Sequence, residues 1–181
     1  MTLFLLLFFV LILVGFFVSQ GNRSAAKAEG SPNDYPSELK LKAEKGDADA
    51  QFNLATMYYN GWGVAQDYAE ALKWYRMAAE QGHSGAQFYL GVMYYHGRGV
   101  PQDFAKAASW NLKAAEQGEA EAQFNLGFMY ANGSGVHQDY VEAASWYRRA
   151  AELGYEDAQN KLGLSYLKGW GVPQDYAEAA S

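Results

Sequence analysis

The segment "GWGV" at positions 61–64 returns as "GRGV" at 97–100, "GSGV" at 133–136 and "GWGV" at 169–172, each time after 36 residues. Other landmarks keep the same step: Leu54, Leu90, Leu126 and Leu162; Tyr58, Tyr94, Tyr130 and Tyr166; Gly46, Gly82, Gly118 and Gly154. A fixed period of this length predicts a solenoid, in which each unit buries its apolar face against its neighbours. It also decides how the glycine loop is read. A phosphate-binding loop is a single site that ends in a lysine or a metal-binding hydroxyl. Here the loop occurs four times and is followed by Asp67, Asp103, Asp139 and Asp175, which would repel an anion. The spacing therefore predicts a corner between two helices. Gly63 and its equivalents supply a positive φ, and the next valine tucks into the helix pair. The variable middle residue (Trp62, Arg98, Ser134, Trp170) is expected at a solvent-facing tip.

Each unit divides into two helices. Helix A is expected from Asp47 to Tyr59, with Ala50, Leu54, Met57 and Tyr58 forming an apolar stripe at helical spacing. Helix B is expected from Asp67 to Gln81. Asp67, Asp103, Asp139 and Asp175 are its N-caps, and Glu70 in "DYAE" completes a capping box that "DFAK" at 103–106 lacks. Gly82 ends the helix. Ala71, Trp74, Ala78 and Ala79 make the inner stripe of helix B, so the core is assigned to Leu54, Trp74, Leu90, Trp110, Leu126 and Trp146. "SELKLKAEKG" at 37–46 matches the end of helix B and is more charged, as a capping helix should be. The expected division is a capping helix at 36–45, repeats at 46–81, 82–117 and 118–153, and a shortened repeat at 154–181. That last unit ends less than two turns into helix B, so 173–181 is expected to fray, and this end either self-associates or represents a shortened natural array.

The unit "ADAQFNLATMYYNGWGVAQDYAEALKWYRMAAEQG" at 48–82 recurs at 84–118 and 120–154. It resembles the Sel1-like repeat family, a relative of the tetratricopeptide repeat. The resemblance implies an all-α, right-handed α/α superhelix with a concave groove. It implies adaptor and scaffold roles rather than catalysis. Some secreted relatives lock each helix pair with a disulfide, and this chain has no cysteine with which to do so.

Ahead of the array stands "LFLLLFFVLILVGFFV" at 3–18. Its length as a helix, about 24 Å, is slightly short of a ~30 Å hydrocarbon core. Residues 1–20 are read as a transmembrane anchor, giving a protein tethered to a membrane by a single N-terminal pass. The alternative is a signal peptide cleaved near "AKA" at 26–28, giving a secreted or periplasmic protein. Arg23 and Lys27 follow the run and place the array on the cytoplasmic side under the positive-inside rule. Residues 21–34, polar and containing Gly and Pro, read as a flexible tether.

The formal net charge of −6 and the lack of a Lys/Arg run argue against a nucleic-acid partner. His83, His96 and His137 fall at three different repeat positions and suggest neither a metal site nor a triad, and no cofactor is expected. Gln51, Gln87, Gln123 and Gln159 recur in every unit and are read as helix A side chains bonding the backbone of the neighbouring unit. A protein or peptide partner should contact positions where the units share a scaffold but differ in side chain. By analogy with tetratricopeptide repeats these lie on helix A. Asn53, Tyr59, Tyr89, Tyr95 and Asn125 are the candidates, while Phe52, Phe88 and Phe124 are assigned to the inter-unit core. The expected function is a non-catalytic adaptor. The rival reading is an exported hydrolase acting on cell-envelope material, which would need a carboxylate or Ser/His constellation on one face.

Overall fold

The computed structural model describes residues 35–180, so the apolar run, the tether and the expectations attached to them lie outside the described residues. Eight α-helices follow one another: α1 (Tyr35–Glu44), α2 (Ala48–Asn60), α3 (Tyr68–Glu80), α4 (Ser84–His96), α5 (Phe104–Glu116), α6 (Ala120–Asn132), α7 (Tyr140–Glu152) and α8 (Glu156–Lys168). A 3₁₀ turn at Glu178–Ala180 closes the series, and no strand occurs among the described residues. Each helix packs chiefly on its neighbours in sequence. The described chain is an all-α, right-handed α/α superhelix in which α2, α4, α6 and α8 are the A helices and α3, α5 and α7 the B helices.

The glycine corners have the expected conformation, with a second requirement added. Gly61, Gly97, Gly133 and Gly169 end the A helices in the left-handed region. Two residues on, Gly63, Gly99, Gly135 and Gly171 also hold φ between 70° and 75°. A Cβ on Gly99 would sit 2.5 Å from the Tyr68 carbonyl oxygen, and Gly135 and Gly171 press still more closely on the carbonyls of Phe104 and Tyr140. Gly99, Gly135 and Gly171 thus let their loops lie directly on the first turn of the preceding helix B. The loop tip is correspondingly not uniform. Trp62 is solvent-exposed, but Arg98 covers the rings of Tyr59 and Tyr68 and bonds the Tyr59 hydroxyl, and Trp170 stacks on Tyr140.

Helix B is capped by its aspartates. The Asp67 carboxylate accepts the N–H groups of Ala69 and Glu70, Asp139 those of Val141 and Glu142, Asp103 that of Lys106, and Asp175 those of Ala177 and Glu178. The reciprocal half of the capping box does not form in the first unit. Asp67 N–H donates to the Tyr58 carbonyl, and the Glu70 carboxylate turns forward to accept from the Trp74 indole at 3.1 Å. Leu54, Trp74, Leu90, Leu126 and Trp146 are buried as the periodicity requires. Trp110 is a correction: it is only half-buried, with the Lys113 ammonium 4.2 Å from its ring centre. Lys106 stands where Glu70 stands in the first unit, so the carboxylate that accepts from the Trp74 indole has no counterpart there.

Glutamines bind unit to unit. The side-chain amides of Gln51, Gln87, Gln123 and Gln159 donate to the carbonyls of Ala43, Ala79, Ala115 and Ala151, in the last turn of the preceding helix. Each of these carbonyls also accepts the N–H of the glycine three residues on, so the glutamine supplies its second donor from the next unit. In the first two units the same glutamine also accepts, from Gln81 at 2.7 Å and Gln117 at 2.8 Å. In the third unit Leu153 occupies that position, and the buried Gln123 Oε1 has no partner. Because Leu153 is 57% exposed, replacing it loses little apolar burial. Leu153→Gln is expected to stabilise the array by about 1 kcal/mol, raising the melting temperature by roughly 2–4 °C. An unchanged melting temperature would show that Gln123 is already satisfied.

Candidate functional site

At the first glycine corner, N–H groups that could face an anion are taken by the chain itself. The N–H groups of Gly61 and Trp62 donate to the Met57 carbonyl, and those at the start of α3 are taken by Asp67. Gln66, Gln102, Gln138 and Gln174 clamp the same loops by donating to carbonyls at the ends of the A helices. Asp103 is held below the usual carboxylate range by the backbone N–H and then the ammonium of Lys106, which marks it as a cap. His83 Nδ1 accepts the Ala86 N–H at 3.2 Å and its ring stacks on Phe52, so this histidine caps α4. No group of His, Asp and Glu suited to a metal ion occurs among the described residues.

The helix A face changes character along the array. At the first step, Tyr75 of α3 is fully buried and its hydroxyl bonds that of Thr56 at 3.0 Å. Tyr89 of α4 lies parallel to it, with ring centres 5.0 Å apart. One unit on, the equivalents of Tyr75, Tyr89 and Thr56 are Asn111, Asn125 and Val92. Two rings are replaced by two short amides, and a cavity of about 320 Å³ opens there. Val92, Tyr95, Phe124, Phe128 and Met129 supply its apolar lining, with His96, Asn111, Asn125 and Lys161 as polar members. At the third step Tyr147 of α7 fills the corresponding place, lying against the bare backbone of Gly127.

The sequence profile of the Sel1 repeat matches residues 48–83, 84–119, 120–155 and 156–181. The chain belongs to the Sel1 repeat family. Among solved structures, a protective antigen of uropathogenic Escherichia coli with an SLR fold is 45% identical over 80% of this chain and 31% of its own, at a TM-score of 0.78. A Sel1 repeat protein of Oxalobacter formigenes is 40% identical over 82% of this chain and 43% of its own, with a TM-score of 0.74. This chain therefore spans less than half the length of either. Cysteine rich protein B of Helicobacter pylori, 21% identical at a TM-score of 0.59 over 72% of this chain and 97% of its own, shares the fold. No curated protein matches the chain significantly.

In this Sel1 array, the residues singled out for partner contact separate into two groups. Tyr95 and Asn125 meet at the cavity. Asn53 is exposed one unit away from it, and Tyr89 is half-buried in the aromatic cluster around Tyr75. Tyr59 is a correction: it is buried, edge-on to Tyr68, Tyr75 and Tyr89, and covered by Arg98. The ring is enclosed because Arg98, in the loop of the next unit, closes over it from the side that the other rings leave open. Asn111, Met129, His96 and Lys161 were not singled out. The signal for Asn111 was present, since Tyr75 and Tyr147 flank it at the repeat spacing.

Burial gives the two enclosed tyrosines a titration signature. It pushes the Tyr147 phenol up to about 12, and it raises Tyr75 as well, partly offset by the Thr56 hydroxyl. A raised acid constant in the folded state means that the folded chain keeps its proton where the unfolded chain has lost it. Stability is thus complete below pH 10, the ordinary tyrosine value, and falls as pH rises through 10 towards 12. Each group contributes a slope of up to about 1.4 kcal/mol per pH unit. Urea unfolding between pH 9 and 11.5 should show the decline, and Tyr147→Phe should make it shallower. An identical slope in the variant would refute the assignment to Tyr147.

Proposed function

We propose that this chain is a non-catalytic adaptor that binds a segment of another protein along its helix A face. Sel1 repeat proteins are generally protein-interaction scaffolds. The observation that carries the reading here is the cavity between α4 and α6, which combines aromatic walls with short polar side chains where the aromatic residues of the flanking units are replaced. Lined pockets of this mixed kind suit recognition of a side chain. Asp67, Asp103, Asp139 and Asp175, the carboxylates that recur in every unit, are engaged in capping, which favours the adaptor over the rival.

Residues 1–20 are proposed to anchor the array to a membrane as a single N-terminal pass, with the cleaved, exported form as the alternative. Their apolarity supports this. Among the described residues no helix is long and apolar enough to cross a bilayer. Leu164, Leu167 and Tyr176, exposed in the fourth repeat, support a second contact through which copies associate.

A photo-crosslinking residue placed at Phe128 of the full chain tests the binding face in native membranes. The expected result is a discrete adduct with another protein, with none from the same residue at the exposed Val141 of α7. Equal labelling from both positions would count against a helix A binding face.

A further inference from the structure

Asn111 is the least expected residue in the core. It is 1% exposed and sits in the middle of α5, where the equivalent residues Tyr75 and Tyr147 are aromatic. Its Nδ2 donates to the Ala107 carbonyl at 2.9 Å, while its Oδ1 is buried with no partner. Such an unmade bond carries a penalty of about 1–3 kcal/mol, and an apolar residue at the same place would avoid it. The chain tolerates the penalty beside a cavity that Asn111 itself lines. Gly91 is matched to this arrangement: a Cβ there would lie 2.5 Å from Asn111 Nδ2, so the amide packs flat on bare backbone.

The occupant that would complete this site can be described by its chemistry. It must be flat and largely apolar to lie among Phe124, Phe128, Tyr95 and the Met129 thioether. It must bring one hydrogen-bond donor to the acceptor at Asn111. A carboxylate would be repelled by that carbonyl oxygen, and an ammonium would have to shed its water among aromatic walls. A phenylalanine fits the walls but leaves the acceptor unpaired. A phenol meets both demands, and the chain's own architecture shows that one fits: Tyr75 and Tyr147 occupy the equivalent place in the flanking units. At the same face Asn125, and Lys161 with no carboxylate within ion-pair distance among the described residues, can hold the backbone and an acidic neighbour of an extended segment.

We infer that the cavity between α4 and α6 receives a tyrosine side chain from the bound protein segment, its phenol O–H donating to Asn111 Oδ1. This deepens the adaptor reading and rests on it for the source of the tyrosine. The segment supplies the ring that the second unit lacks, so binding restores the aromatic series of the array.

The test uses the full chain with ¹³C-methyl methionine, following the Met129 methyl by NMR during titration with N-acetyl-tyrosine amide. The expected result is a saturable shift at Met129, with N-acetyl-phenylalanine amide binding about ten-fold more weakly for want of one hydrogen bond. Asn111→Tyr should abolish the shift, because the chain's own ring then fills the space as Tyr147 does over Gly127. Asn111→Leu should bring the tyrosine and phenylalanine probes to equal affinity. Equal binding of the two probes to the unaltered chain would overturn the proposal, as would undiminished tyrosine binding by Asn111→Tyr. Tighter binding of p-cresol than of the capped tyrosine would overturn the assignment to a protein segment. Loss of the Phe128 crosslink with the tyrosine response retained would count against the adaptor reading. A crosslink that survives in Asn111→Tyr would overturn the pocket as the partner's anchor and leave that reading standing.

Discussion

Gly135→Ala is expected to destabilise the array by about 3–5 kcal/mol. Two effects combine. Gly135 holds φ +75, and an L-residue in the left-handed region is worse than glycine by about 1–2 kcal/mol. The added methyl would also run into the Phe104 carbonyl and the Ala105 nitrogen, which belong to the first turn of α5 and its Asp103 cap. Overpacking against a side chain typically costs about 1–3 kcal/mol, and backbone yields less readily than a side chain. Gly154→Ala separates the terms. Gly154 has φ +85 with nothing within 4 Å of its would-be Cβ, so only the conformational term, about 1–2 kcal/mol, should appear. Urea unfolding of both variants measures the difference. Equal losses would mean that the loop of the third unit does not press on α5, and that the seam between units is looser than described.

That contrast also shows where sequence reading reaches and where it stops. The 36-residue period, the alternation of two helices and the positive φ at the corners are local properties, set by composition and spacing. They were legible because every unit repeats them. The close approach of Gly135 to Phe104 joins residues of different units and leaves no trace in either unit alone. Gly63 has the same sequence context but meets only side chains, the Met57 methyl at 3.4 Å and the Pro36 ring at 3.9 Å. The candidate site followed the same division. Helix A is the binding face by analogy with tetratricopeptide repeats, and of the residues singled out on it for their variation Tyr95 and Asn125 line the cavity. Tyr59 was misplaced because its enclosure comes from Arg98, a residue of the following loop. Asn111 is legible only as a departure, since the repeated residues of helix B carry the fold and the cavity opens where Asn111 replaces the Tyr75 and Tyr147 of the flanking units. In an array, departures from the period carry the functional information and adherence to it carries the fold.

Trp146→Ala should have the other large effect, and Trp110→Ala should not match it. Trp146 is 7% exposed and packs with Ala114 and Ala115 of α5 and Ala122 and Leu126 of α6. Those alanines let the helices approach closely and leave the indole as the main filler of the space between units. Removing it leaves a cavity bordered by three helices, for which about 3–5 kcal/mol is expected. Trp110 has the same position in the preceding unit but lies half open, so its truncation exposes less new void and should cost less than half as much. The loss at Trp146 should also be local in its consequences. Units of a solenoid are held by nearest-neighbour interfaces, so weakening the seam between α5 and α7 uncouples the later helices from the earlier ones. Amide exchange should then accelerate in α7 and α8 well before it does in α2 to α4. Uniform acceleration along the whole array would instead show that the repeats unfold as one cooperative block, with no seam weak enough to part first.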